Sequence, residues 1–287
     1  MKLALGTAQF GMEYGVTNRS GRTNYEEMSK ILSLAKDSGI NTIDTATSYG
    51  DAETKLGNYG ISDFQVISKL PSYINIPTDE ISEHILNETK QILKRLKVKK
   101  LYGLLIHDAD EILSTKGKKI FQALEMLKKN NLVEKIGVSI YEPEQYFRVI
   151  THYKLDIVQA PLNVFDRRIL TSGLIDRSEE LNQEVHIRSI FLQGILLEKT
   201  INENFKKWSN HFQNWFDWLK DNKVSALEAC ISFALTVPKI EKIIVGVNEV
   251  NQLKQILSVG DNLVNYVPDN LICDDQNLID PTKWKLK

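Results

Sequence analysis

Four polar residues, each at or shortly after the end of an apolar run, could together perform acid–base chemistry: Asp44, Tyr49, Lys69 and His107. A tyrosine hydroxyl, with a pKa of about 10, is a poor proton donor at neutral pH, but a neighbouring ammonium group would lower that pKa. Lys69 could provide the ammonium group, and Asp44 could hold it charged and oriented. His107 could donate a hydrogen bond to a carbonyl oxygen. This set of residues is suited to carbonyl reduction with Tyr49 as the proton donor.

None of these side chains can supply a hydride, so this chemistry would require a bound nicotinamide cofactor. Each residue also has an ordinary structural interpretation. Asp44 could cap a helix and Tyr49 could be a packing residue. Lys69 could end a strand in solvent, and His107 could be a hydrogen-bonded core histidine. A further alternative is a lyase or isomerase in which Lys69 forms a Schiff base with the substrate.

The elements that would bring these residues together are short apolar runs alternating with segments of helical periodicity. The runs are Leu3–Gly6, Asn41–Asp44, Phe64–Ser68, Leu101–Ile106, Lys135–Ser139, Ile157–Ala160, Val185–Ile190 and Lys242–Val245. They are almost continuously apolar, which indicates a parallel sheet buried on both faces. Eight strand–helix units predict a single-domain (β/α)8 TIM barrel over residues 1–287, with its active site at the carboxyl ends of the strands.

A doubly wound open sheet is the alternative, but its dinucleotide-binding form has a G-x-G-x-x-G motif that this chain lacks. Two stretches interrupt the repeat. The first, residues 192–222 after the seventh strand, predicts an extra helix docked on the barrel, with a substrate-pocket wall as the alternative. Its aromatic face consists of Trp208, Phe212, Trp215, Phe216 and Leu219. The second is the C-terminal tail, residues 261–287, which we expect to pack across one end of the barrel.

The composition excludes several classes of protein. The chain has 287 residues, 36 Lys and Arg against 37 Asp and Glu, and a net charge of −1, so no electrostatic case exists for a nucleic-acid or membrane-surface partner. Cys230 and Cys273 form no Cys-x-x-Cys pair, and we expect no metal site and a reduced, cytoplasmic setting. No apolar run approaches the length of about 20 residues that a membrane span requires.

Three segments around the candidate residues carry a resemblance to a known family. They are Gly39-Ile40-Asn41-Thr42-Ile43-Asp44-Thr45-Ala46 continuing to Tyr49-Gly50, Glu53 and Leu56-Gly57; Ile67-Ser68-Lys69; and Leu105-Ile106-His107. In this order they resemble the aspartate–tyrosine signature, the lysine strand and the histidine strand of the aldo-keto reductases. The resemblance covers essentially the whole chain. It implies a (β/α)8 barrel, NADP(H)-dependent reduction of aldehydes or ketones, and catalytic roles for Asp44, Tyr49, Lys69 and His107.

The resemblance also implies a set of cofactor-binding residues: Gly6, Thr7, Asp44, Ser139, Gln159, Arg188, Ser189, Phe191, Gln193, Lys199, Gly246, Asn248 and Gln252. The chain departs from the family pattern at two positions. Ile140 stands where Asn is usual, and Arg188 stands where an aromatic residue usually stacks on the nicotinamide. A guanidinium plane can also stack, and it adds positive charge. Arg188 could therefore pair with an anionic group of the substrate, or it could be tied to a neighbouring carboxylate.

The resemblance favours NADP(H) as the cofactor. NAD(H) is also possible, because the basic residues that some family members use for the 2′-phosphate are absent and Glu249 adds negative charge. We expect a monomer that acts on a small carbonyl compound, such as a simple aldehyde, a sugar or a sugar derivative. We expect no nucleic-acid or membrane partner. The alternative class is a regulatory, cofactor-binding barrel similar to the potassium-channel β subunits.

Overall fold

The computed structural model describes residues 1–260, 264 and 266–284. Eight parallel strands close into a barrel, each paired with the next along the chain and the last with the first. The strands are β1 (Leu3–Gly6), β2 (Thr42–Asp44), β3 (Gln65–Leu70), β4 (Leu101–Ile106), β5 (Val133–Ser139), β6 (Ile157–Pro161), β7 (Glu184–Arg188) and β8 (Ile240–Gly246). The predicted (β/α)8 barrel is thereby confirmed, and each predicted strand end lies within two residues of the observed one.

Helices alternate with the strands. They are α1 (Ala8–Gly11), α2 (Tyr25–Asp37), α3 (Ala52–Tyr59), α4 (Ile81–Leu96), α5 (Ala109–Ile112), α6 (Gly117–Lys129), α7 (Pro143–Ile150), α8 (Arg168–Thr171), α9 (Leu174–Glu180), α10 (Ser209–Asn222), α11 (Ala226–Thr236), α12 (Val250–Ser258) and α13 (Gln276–Ile279). Short 3-10 turns span Leu192–Leu197, Glu203–Trp208, Asp269–Leu271 and Pro281–Lys283. Within the described residues, none of the helices combines the length and the apolar character needed to cross a membrane.

The interior of the barrel contains its own small apolar cluster, formed by Ile67, Leu105 and Ile157. Gly103 makes room for it, because a Cβ atom there would lie 3.0 Å from Cδ1 of Ile157. Alternate residues of a strand point to the same face, so Lys69 continues the inward-facing side of β3 two residues beyond Ile67. The packed interior therefore leads directly to the polar residues at the carboxyl ends of the strands.

The segment after β7 contains the long helix α10. Trp215 is fully buried and donates a hydrogen bond from Nε1 to the carbonyl oxygen of Leu196 at 3.1 Å. Phe212 packs edge-on against Phe165, with ring centroids 5.5 Å apart. The helix predicted for this segment is present and docks on the barrel through these rings.

The described part of the C-terminal tail packs beside the loop that follows β6. Residues 261–263, 265 and 285–287 of the predicted tail lie outside the described residues. Arg167 donates hydrogen bonds to the carbonyl oxygens of Val267 and Pro268 at 3.1 and 2.9 Å. The ring of Trp284 contacts that of Phe205, with centroids 4.8 Å apart. The described tail thus covers part of the carboxyl end of the barrel.

Glu53 joins three elements beside that end. Its carboxylate, on α3, accepts hydrogen bonds from Ser68 Oγ on β3 at 2.6 Å and from Arg95 Nε on α4 at 2.7 Å. Gly57 lets the same helices touch, because a Cβ atom there would lie 2.0 Å from the carbonyl oxygen of Arg95. The helix that follows the Tyr49 loop is therefore fixed against the strand that carries Lys69.

We predict that Glu53→Ala lowers the free energy of unfolding by about 2–4 kcal/mol, because it leaves Ser68 and Arg95 without their buried acceptor. The matched control is Glu88→Ala. Glu88 accepts from the same arginine at 2.7 Å but is more exposed, so its loss should cost about 1 kcal/mol or less. Urea denaturation followed by circular dichroism measures both. Equal losses in the two variants would contradict the structural role of Glu53.

Candidate active site

A buried ion pair joins β2 and β3 at the mouth of the barrel. Lys69 Nζ lies 2.5 Å from Asp44 Oδ1, and it also donates to the carbonyl oxygen of Thr45 at 3.1 Å. Both charged side chains are almost completely buried. Burial lowers the pKa of Lys69, while the carboxylate of Asp44 opposes that shift. The ammonium group is therefore engaged by these two acceptors.

The second carboxylate oxygen of Asp44 is held by Gln159. The Nε2 atom of this glutamine on β6 donates to Asp44 Oδ2 at 2.8 Å. Because a carboxylate can only accept, this contact fixes the orientation of the amide. Gln159 Oε1 is buried and has no hydrogen-bond partner among the described residues. A buried acceptor of this kind is satisfied by a ligand N–H group, which fits the amide of a nicotinamide cofactor.

Two glycines place the loop that carries Tyr49. The loop lies directly against the backbone of α1, where a Cβ atom on Gly11 would be 1.7 Å from the carbonyl oxygen of Tyr49. Gly50 has a φ of +56°, and a Cβ atom there would lie 2.4 Å from the carbonyl oxygen of Gly11. A side chain at either position would push the loop away. Tyr49 is thereby held at a defined height above the strand ends.

Tyr49 meets both His107 and Lys69. Its ring is edge-on to the imidazole of His107, with centroids 6.1 Å apart at 84°. Lys69 Nζ lies 5.4 Å from the centroid of the tyrosine ring. Ser48 Oγ lies 3.4 Å from His107 Nδ1, the one side-chain hydrogen-bond contact of this imidazole among the described residues. The structure therefore brings together all four residues proposed for acid–base chemistry.

The electrostatics of Tyr49 differ from the sequence-based expectation. Burial and the negative charge of Asp44 raise its pKa well above the usual range, while Arg188 opposes that shift. We expected Lys69 to be the cation that lowers this pKa, but its charge is offset by the carboxylate 2.5 Å away. Tyr49 is protonated at neutral pH, and the cation that most favours release of its proton is Arg188.

Arg188, the last residue of β7, lies beside this group. Its Nη2 atom donates to the carbonyl oxygen of Ile140 at 3.0 Å, and Nη1 donates to Ser189 Oγ at 3.3 Å. The guanidinium carbon lies 4.4 Å from the centroid of the Tyr141 ring. No ion pair of Arg188 with a carboxylate occurs among the residues that the structure describes, so the alternative of a local ion pair is not supported.

A cavity of about 870 Å³ opens above these residues, within the range of roughly 300–1,000 Å³ typical of small-molecule sites. Most of the predicted site residues line it: Gly6, Thr7, Asp44, Tyr49, Arg188, Ser189, Phe191, Gln193, Lys199, Gly246, Asn248 and Gln252. Lys69, His107, Ser139 and Gln159 do not line it. Lys69 and Gln159 lie behind Asp44, which they bind. Phe216 and Leu219 of α10 also line the cavity, so the segment after β7 contributes a wall as well as a docked helix.

The loop between α1 and α2, residues 12–24, crosses the cavity, and none of its residues was predicted as a site residue. Thr17 Oγ1 lies 3.5 Å from the carbonyl oxygen of Gln193 in the loop after β7. Asn248 Nδ2 donates to the carbonyl oxygen of Gly21 at 2.9 Å on the other side. Tyr14, Asn18, Arg19 and Ser20 consequently line the cavity. The available signal was the unusual length of this polar connection at the carboxyl end of the barrel.

The end of the cavity near β8 is built around the start of α12. Glu249 and Gln252 form a capping box, in which each side chain accepts from backbone N–H groups at the helix start. Gln252 Oε1 accepts from the backbone N–H of Asn248 at 2.7 Å, and Glu249 also accepts from Ser20 Oγ at 3.0 Å. Arg19, from the crossing loop, also lines the cavity, where it was not predicted, and its guanidinium lies 3.8 Å from the carboxylate of Glu198.

Comparison with known proteins agrees with this geometry. The sequence model of the Aldo/keto reductase family matches residues 2–268. An aldo-keto reductase of Gibberella moniliformis is 28% identical over 189 residues, which is 62% of this chain and 56% of that protein, so the match spans little more than half of its length. Two solved structures share the fold. An aldo-keto reductase from Bacillus halodurans in its holo form has a TM-score of 0.74 at 16% identity, covering 91% of this chain and 86% of that chain. A glycerol dehydrogenase of Gluconobacter oxydans has a TM-score of 0.70 at 21% identity, covering 92% and 88%.

We predict that His107 is neutral at all pH values above its pKa of about 4, which is lowered by burial and by the positive charges of Lys69 and Arg188. NMR titration of the imidazole protons measures this, with His107→Asn to assign the signal. Between pH 6.5 and 4 the histidine is protonated in the unfolded chain but neutral in the folded protein. The free energy of unfolding therefore decreases as the pH falls through this range. Arg188→Gln should raise this pKa. A midpoint near 6.5 in the wild-type protein would contradict the burial and charge arrangement.

Proposed function

The chain belongs to the aldo/keto reductase family, a family of oxidoreductases, and from this membership and the geometry of the site we propose that it reduces an aldehyde or ketone to an alcohol with a nicotinamide cofactor. Tyr49 is the proposed proton donor. The observation that carries the proposal is that Tyr49 lines the cavity while its ring contacts neutral His107 and lies near the buried Lys69–Asp44 pair. A monomer with a small-molecule carbonyl substrate is part of the proposal.

The protein side of the reaction is a proton transfer. Tyr49 begins protonated, because burial and Asp44 raise its pKa. Its hydroxyl proton passes to the carbonyl oxygen as that oxygen gains electron density, and an alkoxide is basic enough to take it. Neutral His107 offers one N–H group as a hydrogen-bond donor to the same oxygen without introducing charge. The tyrosinate that remains lies near Arg188, whose positive charge stabilises it.

The cofactor would lie along the cavity. When bound, a reduced nicotinamide supplies the hydride that adds to the carbonyl carbon. Gln159 Oε1, which is buried without a partner among the described residues, would accept from its amide N–H group. Ser189, Phe191, Gln193 and Lys199 line the wall after β7, and Asn248 and Gln252 line the end near β8.

The Schiff-base alternative is not favoured by the position of Lys69. Its ammonium group is buried and donates hydrogen bonds to Asp44 and to the carbonyl oxygen of Thr45, so the amine is not free to attack a carbonyl carbon. A regulatory, cofactor-binding barrel would bind the nucleotide without reducing carbonyl compounds. Turnover therefore separates that alternative from the enzyme that we propose.

We predict that Tyr49→Phe lowers kcat for reduction of a good aldehyde substrate by about 100-fold or more, the size expected for a lost general acid. The dissociation constant for NADPH, measured by nucleotide fluorescence, should change little because other residues line most of the cofactor cavity. Tyr14→Phe, which removes another hydroxyl from the cavity wall, is the matched control and should lower kcat less than tenfold. Near wild-type turnover by Tyr49→Phe would reject the proposed proton donor.

We also predict that NADPH binds more tightly than NADH, because Lys199 and Arg19 line the cavity, Arg19 with only a long contact of 3.8 Å to Glu198, while Glu249 is engaged in capping α12. Glu249→Gln keeps a capping oxygen and removes one negative charge. It should increase the affinity ratio in favour of NADPH by about two- to fivefold, the scale of a single charge at a helix start. NADH, which lacks the 2′-phosphate, is the internal control. Tighter binding of NADH by the wild-type protein would overturn this preference.

A further inference from the structure

We propose that the physiological substrate carries an oxyanion, a carboxylate or a phosphate, near its carbonyl group, and that Arg188 binds this anion. The inference rests on the proposed carbonyl reduction and specifies the chemical class of its substrate. It follows from three observations, namely the charge balance around Tyr49, the pairing of the other partly buried arginines, and the way in which Arg188 is held.

The reactive end of the cavity has one uncompensated charge. Lys69 and Asp44 neutralise each other at 2.5 Å. Tyr49 and His107 are both neutral at neutral pH. Arg188 lines the same cavity as Tyr49 and Asp44 and acts electrostatically on Tyr49 and His107. Among the described groups that face the reacting carbonyl, the net charge is therefore that of the guanidinium.

Arg188 also differs from the other partly buried arginines of the described chain. Arg95 pairs with two glutamates at 2.7 Å, Arg167 with Asp269 at 2.9 Å, and Arg168 with Asp166 at 2.8 Å. Arg188 has no carboxylate within 4.0 Å in the described part of the chain. Partly buried charges are normally paired. Arg188 is the exception among these four arginines, and it is the one that lines the cavity.

The guanidinium is held in a defined orientation. Ile140 O and Ser189 Oγ each accept one of its five N–H groups, and Tyr141 packs 4.4 Å from its central carbon. The ring and the two acceptors restrict its motion and leave N–H groups for a ligand. A planar, oriented guanidinium binds carboxylates and phosphates through paired hydrogen bonds.

The test uses pairs of aldehydes that differ in charge. The pairs are 4-carboxybenzaldehyde with 4-nitrobenzaldehyde, and glyceraldehyde 3-phosphate with glyceraldehyde. For each pair, the ratio of kcat/KM for the anionic to the neutral aldehyde is compared between the wild-type protein and Arg188→Gln. Comparing the two ratios cancels the intrinsic reactivity of the aldehydes. The separate effect of Arg188 on proton donation by Tyr49 is lost mainly with the neutral aldehyde, so it works against the expected fall in the ratio.

We expect Arg188→Gln to lower this ratio about 10- to 100-fold for at least one pair, the effect of losing hydrogen bonds to a charged group. The pair that responds identifies the carboxylate or the phosphate as the preferred anion. Arg188→Lys, which keeps the charge but loses the planar fork, should give an intermediate ratio. Lys199→Gln is the matched control, because it removes another cavity-lining cation and should leave the ratio within about twofold of wild type.

A binding measurement complements the rates. The dissociation constant of the alcohol product 4-(hydroxymethyl)benzoate, measured by calorimetry with the nucleotide present, should rise in Arg188→Gln by a similar factor. Circular dichroism establishes that the variant is folded, and Arg188→Lys provides the test if it is not. Ratios that stay within twofold of wild type in both pairs would overturn the inference. Failure of the wild-type protein to reduce any aldehyde or ketone despite binding nucleotide would instead reject the proposed function.

Discussion

The carboxylate of Asp44 is the constraint around which the mouth of the barrel is arranged. One oxygen faces the ammonium group of Lys69 and the other faces the amide of Gln159, so the ends of β2, β3 and β6 are joined at one charged group. Removing two charges from water costs several kcal/mol per ion, and good geometry with additional hydrogen bonds is required to offset this. A shift of any of the three strand ends would leave a buried charge or amide unpaired. The positions of the three strand ends, and of the loops that follow them, therefore depend on one another.

A second constraint lies in the loop after β7. Ser189, Leu192 and Gln193 all have positive φ angles, between 46° and 62°, which are unfavourable for residues other than glycine. The loop is held by its contact with the crossing loop, residues 12–24. A Cβ atom on Gly194 would lie 2.0 Å from Thr17 Oγ1, so the two loops touch without intervening space. The strained backbone directs Ser189, Phe191 and Gln193 into the cavity wall, and the crossing loop keeps it there.

The fold was predictable because burial on both sides of a parallel sheet leaves continuous apolar runs, such as Leu3–Gly6 and Leu101–Ile106, whose bounds agree with the structure. The residues at the strand ends followed from the same argument. The raised pKa of Tyr49 could not be predicted from the sequence, because it depends on how deeply the loop buries the hydroxyl and on which nearby cation is already paired with a carboxylate. The contribution of residues 12–24 to the cavity wall could not be predicted from the sequence either. A loop without periodicity gives no indication of the surface that it contacts, although its length marks it as unusual.

The charge of Arg188 links substrate recognition to proton transfer. In the free site, its positive charge opposes the effects of burial and Asp44, which both raise the pKa of Tyr49. An anion bound to the guanidinium would cancel much of this opposition and raise the pKa of Tyr49 further, which weakens Tyr49 as a proton donor. The charge that recognises an anionic substrate is therefore the same charge that favours proton release, so the two functions of Arg188 oppose each other. An aromatic residue at the same position could stack on a cofactor but could not provide this coupling, since it carries no charge for the substrate to neutralise.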